Sequence, residues 1–125
     1  MSSYLCVALG GALGAVARYA AGNIPVLMAT PHFKTMFINI TGCLVIGMIW
    51  TGFEQWHVSR AWYNMLIAGF LGGFTTYSSF SLEAVRMAGE GRLYESLLYA
   101  LVTVTECIAA CATGIYTTKL IIKLI

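Results

Sequence analysis

The densest cluster of groups able to handle an ion lies between Gly69 and Glu83, where the chain reads GFLGGFTTYSSFSLE. Gly72 and Gly73 precede Thr75, Thr76, Tyr77, Ser78, Ser79, Phe80 and Ser81. Glycine lowers the cost of leaving helical geometry, and Thr and Ser hydroxyls can bond the backbone groups so released. The expected feature is a helix broken near residues 72–76. Carbonyl oxygens bared at such a break are hard ligands for a cation. Tyr77 and Phe80 lie three apart and share a helix face. Aromatic rings are negative on their faces and positive at their edges, so two ring edges can meet a small anion where water is absent. Plain packing is the other use of such a pair. Ser78, Ser79 and Ser81 add hydroxyl donors. This is chemistry for holding and passing ions, not for making or breaking covalent bonds, so no enzyme activity is expected.

Other polar residues stand in apolar surroundings. Asn39, in FINITG, carries an amide that either donates to an anion or bonds between helices. Arg18 either snorkels to headgroups or draws anions into a vestibule. Glu106, flanked by Thr105 and Cys107, is a functional candidate because an ionisable group in a membrane segment is expensive. It is either neutral or paired with a cation. Glu83 ends the hydroxyl-rich stretch nearer the interface. Tyr99, Thr103 and Cys107 continue a polar line at i,i+4 spacing. The four cysteines, Cys6, Cys43, Cys107 and Cys111, form no CxxC pair and read as small buried hydrophobes.

The elements that position these groups follow from composition. Of the 125 residues, 59% are hydrophobic and 10% charged. Soluble domains carry about 25% charged residues, so this is an all-α integral membrane protein in contact with the lipid bilayer. A helix needs about 20 apolar residues to cross a bilayer. Four segments qualify, at about 4–21, 33–53, 61–87 and 94–122, forming a single transmembrane domain over 1–125. The start, MSSYLCVALGGALG, lacks a basic region and cleavage site, and reads as a retained first helix. The linkers NIPVLMATPH, EQWHVSR and AGEGR leave no room for a soluble domain. A net charge of +2 offers nothing to nucleic acid.

Orientation is set by the Lys/Arg bias between membrane sides. Here Arg60, Lys119 and Lys123 face Lys34, Arg86 and Arg92, with Arg18 near the second group. So even a balance lets the chain insert both ways up. Two copies in opposite orientation can then pair, as in transport proteins with inverted symmetry and a midplane site. Glycines in GGALGAVA, with Gly42 and Gly47, permit close helix approach.

GGALGAVARY, FINITG and GFLGGFTTYSSFSLE, in this order and spacing, closely resemble the Fluc/CrcB family of fluoride channels. The similarity runs along essentially the whole chain. It implies four transmembrane helices per subunit and an antiparallel, dual-topology dimer with two fluoride pores. It also implies a sodium ion at the dimer centre, held by backbone carbonyls that fall at Gly72 and Thr75 of each copy. The fluoride pathway would run past Asn39, Tyr77, Ser78 and Phe80, then along Thr103, Cys107 and Cys111. Arg18 would stand in the vestibule, and Glu83 would be the third-helix carboxylate. The chain departs from the family pattern at Tyr77, where Phe is usual, and at Cys107, where Ser is usual. Glu106 has no counterpart, and is expected to face away from the pore or to be neutral. The implied activity is passive fluoride export across a bacterial plasma (inner) membrane, conferring fluoride resistance. A rival of another class is a small dual-topology, proton-coupled exporter of toxic cations with Glu106 as its carrier carboxylate. Size, helix number and charge balance suit it equally, but the third-segment signature does not.

Overall fold

The computed structural model describes residues 2–25 and 30–125. Among them there is no strand, and four helices are long and apolar enough to cross a membrane. Helix α1 spans Ser3–Gly22 and begins at Ser2, whose hydroxyl accepts the Leu5 N–H at 3.4 Å. Helix α2 spans Pro31–Trp56. Its first turn contains Pro31, whose missing N–H costs nothing there. It runs past the expected end at 53 and stops at His57, which takes the left-handed conformation at φ 51°.

The third span, Arg60–Gly89, is not uniform. It opens with α3 (Arg60–Tyr63), widens into a π-helical stretch over Asn64–Leu71, and continues as α4 (Gly72–Phe74). Thr75 and Thr76 are extended, at φ −77°, ψ 158° and φ −148°, ψ 105°. Helix α5 then runs over Tyr77–Gly89. The interruption is thus narrower than 72–76 and begins after the glycines, which stay helical. Gly73 serves packing: a Cβ there would sit 2.6 Å from the Gly11 carbonyl oxygen of α1, whereas one on Gly72 would meet nothing of α1. The residues of the π-helical stretch, NMLIAGFL, carry no sequence signature that sets them apart from an ordinary apolar helix. Helix α6, Leu93–Leu124, is the longest, at 32 residues. The turn before it needs Gly91, whose φ is 81°.

Two helix pairs are locked backbone to backbone. Helix α1 lies on the first half of the third span, and α2 lies on α6. A Cβ on Gly14 would fall 2.0 Å from the Phe70 carbonyl oxygen, and one on Gly114 would fall 2.2 Å from that of Leu44. In lipid, where apolar surfaces gain little by leaving the solvent, such close contact is the main source of helix association. Helix α5 packs on α6 through a small core of Phe80, Met87 and Tyr99. Many large apolar side chains point outward, among them Leu13, Val16, Leu101 and Ile108, each more than half exposed. That surface suits lipid or another membrane-embedded chain.

Candidate functional site

The site grows from the interruption at Thr75 and Thr76. In an unbroken helix the Thr76 N–H would bond the Gly72 carbonyl. Instead it donates to Asn39 Oδ1 at 2.7 Å, while Asn39 Nδ2 donates to the Thr76 carbonyl at 3.0 Å. The peptide N–H can only donate, which decides which end of the amide faces it. Asn39 therefore makes a two-way clasp from α2 to the extended segment, and both residues are buried. Of the two uses open to Asn39 in the sequence, the interhelical bond is present. Its Nδ2 still carries a second hydrogen.

The neighbouring backbone groups are accounted for one by one. The Ser79 N–H, which would reach the Thr75 carbonyl, bonds the Thr76 hydroxyl at 3.2 Å and starts α5. The Thr75 N–H and Oγ1 both donate to the Leu71 carbonyl, at 3.0 and 2.9 Å. The Gly72 and Thr75 carbonyls have therefore each lost their helical donor. Among the described residues no group of three His, Cys, Asp or Glu side chains is placed to hold a metal.

Around the clasp opens a cleft of about 350 Å³ between α2, the third span and α6. Asn39, Gly72, Thr75, Tyr77, Phe80, Thr103 and Cys107 all line it. Tyr77 is 76% exposed and Phe80 is buried, with ring centroids 5.4 Å apart and planes tilted by 52°. Phe80 in turn stands 5.3 Å from Tyr99, tilted by 49°. Thr103 is buried, and its hydroxyl has no hydrogen-bond partner among the described residues. Cys107 is half-buried beside Cys43.

Two residues expected on the pathway, Ser78 and Cys111, stand outside the cleft lining, as does Glu106, which was expected to face away from the pore or to be neutral. Ser78 is exposed, with its hydroxyl 3.3 Å from that of Thr76. Cys111 belongs to the α2–α6 seam, where its carbonyl oxygen packs on Gly47. Glu106 is exposed on α6 and lines neither this cleft nor the one at Arg18. Glu83 is half-buried and accepts the Thr35 and Tyr99 hydroxyls, each at 2.7 Å, so it ties α2, α5 and α6 together. Arg18 lines a second cleft of about 350 Å³ at the α1 end, walled by Lys34, Thr35, Thr76 and Ser79. Thr35 had drawn no role from the sequence, Lys34 had entered only the count of basic charge, and Thr76 only as part of the break. The one available signal was Thr35, a hydroxyl four residues before Asn39 and so on its helix face.

Comparison with known proteins covers most of the chain. Residues 5–115 match the family described as CrcB-like protein, Camphor Resistance (CrcB). A protein of Desulfotalea psychrophila named fluoride-specific ion channel FluC is 38% identical over 114 residues, 90% of this chain and 88% of its own length. One of Azotobacter vinelandii with the same name is 40% identical over 119 residues, 93% of this chain and 96% of its own. A third, from Idiomarina loihiensis, is 41% identical over 110 residues, 86% of this chain and 84% of its own.

Proposed function

We infer that this chain, which belongs to the CrcB family, is a fluoride-selective ion channel. It lets fluoride leave a bacterium passively across the plasma membrane and so confers fluoride resistance. The reading rests on relatives named for that activity, and one observation in this chain carries it. Asn39, Tyr77, Phe80, Thr103 and Cys107 come from three spans and line one cleft at the interrupted third span. Fluoride is small and strongly hydrated, so passage requires donors that replace its water. The second Nδ2 hydrogen of Asn39 and the unpartnered Thr103 hydroxyl are such donors. The edges of Tyr77 and Phe80 supply weaker positive potential between them.

One copy leaves the cleft open on the side of Tyr77, and its two relieved carbonyls are too few to satisfy a cation. A second copy in the opposite orientation closes the cleft and doubles the carbonyl set. The near-equal basic charge on the two ends supports such pairing. Gly72 and Thr75 of both copies would then hold a sodium ion, which supplies fixed positive charge at the dimer centre. Their lost helical donors are what make these carbonyls fit for it.

The test is fluoride efflux from liposomes containing the purified protein. Efflux well above that of empty vesicles, with chloride excluded, is expected. A folded, reconstituted protein that releases no fluoride would falsify the channel reading.

A further inference from the structure

Arg18 shares its cleft with a second cation that the pathway above leaves unused. Lys34, at the start of α2, lines the same space beside Thr35, Thr76 and Ser79, and no Asp or Glu side chain lines it. Neither cation takes part in a salt bridge among the described residues. Glu83, behind Thr35, is already engaged by the Thr35 and Tyr99 hydroxyls. Two unpaired positive charges in one cleft repel each other, and an anion entering between them relieves both. The position of Lys34 is also built. Its stem crosses the buried Gly22, where an added Cβ would lie 3.3 Å from Cδ and 3.8 Å from Nζ. The stem and ammonium thus lie in van der Waals reach of a backbone that carries no side chain. The same cleft ends on Thr76, the residue clasped by Asn39, so it abuts the interruption itself.

We propose that Lys34 is a second anion-collecting residue, acting with Arg18 to concentrate small monovalent anions beside Thr76 before they reach the central cleft. This rests on the fluoride-channel reading. A cleft of one sign with low-dielectric walls focuses its field and raises local anion concentration. The competing role is structural, because Lys34 also stands near the C-terminal end of α1, where the helix dipole favours a cation.

Fluoride flux through the reconstituted protein separates these roles when K34Q and K34R are measured at two salt concentrations. Backgrounds of about 10 mM and 1 M set screening lengths near 30 and 3 Å. At low salt K34Q should reduce flux by roughly three- to tenfold, within the range of electrostatic steering. K34R should restore it, and all three proteins should converge at high salt. Equal flux for K34Q and wild type at low salt overturns the assignment. So does a K34Q deficit that persists unchanged at high salt, which marks a structural role. K119Q, at the far end of α6, controls for general charge loss and should leave flux unaltered. Fluoride titration followed by fluorine NMR line broadening in micelles reads anion collection without conduction. There K34Q should weaken apparent affinity by a similar factor. Wild-type protein that broadens the fluoride line but conducts none overturns the channel reading alone. Identical broadening by wild type and K34Q overturns the Lys34 assignment alone.

Discussion

Thr103 and Glu106 lie within one turn of each other on α6 and make opposite demands on their surroundings. The Thr103 hydroxyl is buried without a partner, a condition that costs about 1–3 kcal/mol. Thr103→Val keeps the shape and removes that orphan, so thermal stability should hold or rise. If the hydroxyl serves a passing anion, the same change should lower fluoride efflux by about five- to tenfold, the worth of one hydrogen bond. A variant that is stable and fully conducting would remove Thr103 from the pathway. Glu106 lines neither cleft. Glu106→Gln should therefore leave fluoride efflux as it was, whereas a proton-coupled exporter of toxic cations that uses this carboxylate would lose its transport. Loss of activity on this one change would favour the carrier reading over the channel. Asn39 makes a third case: its amide type was legible in the sequence, but its pairing with both backbone groups of Thr76 was not.

At the level of elements, the interruption in the third span depends on what lies beside it. Gly72 and Gly73 suggested that the glycines themselves unwind. Both stay helical, Gly73 seated against α1 where a side chain would collide with Gly11, and the extended residues are the two threonines that follow. The π-helical stretch brings the Met65 and Phe70 carbonyls against Gly10 and Gly14. Gly14→Val should force α1 off this seat, since even its Cβ collides with the Phe70 backbone. A loss of about 1–3 kcal/mol or more is expected, seen as a lower melting temperature and aggregation on size-exclusion chromatography. Gly89→Ala is the matched control: an added Cβ there meets nothing within 4 Å. Equal melting temperatures for the two variants would show that the glycine seam does not hold α1.

For the whole molecule, the proposal of two oppositely inserted copies follows from charge balance and from an open, mostly apolar cleft. A single cysteine at position 2, in a background with the four native cysteines replaced, should label about equally from the two sides of the membrane, as the absent Lys/Arg bias implies. One-sided labelling would exclude antiparallel pairing. If a sodium ion is shared between copies, replacing sodium with a large organic cation should lower the dimer's melting temperature, because a ligand of the folded state stabilises it by mass action. A melting temperature indifferent to sodium would count against that site.

What the sequence determined alone was whatever depends on local chemistry and length. Four apolar runs fit the bilayer, polar residues stood out against them, and the GGFTTYSSF stretch marked where a helix would be interrupted. The approximate span limits, 4–21 against Ser3–Gly22 for example, followed from the same counting. The tertiary structure decided the rest, because it depends on which backbones touch. Close approach of α1 assigned Gly73 to packing, and the interruption fell at Thr75 and Thr76. Reach from α2 turned Asn39 into a clasp, and helix rotation put Thr103 and Cys107 in the cleft while leaving Cys111 and Glu106 out of it. Lys34 joined Arg18 because the start of α2 brings its stem across Gly22, twelve residues earlier, into the same cleft.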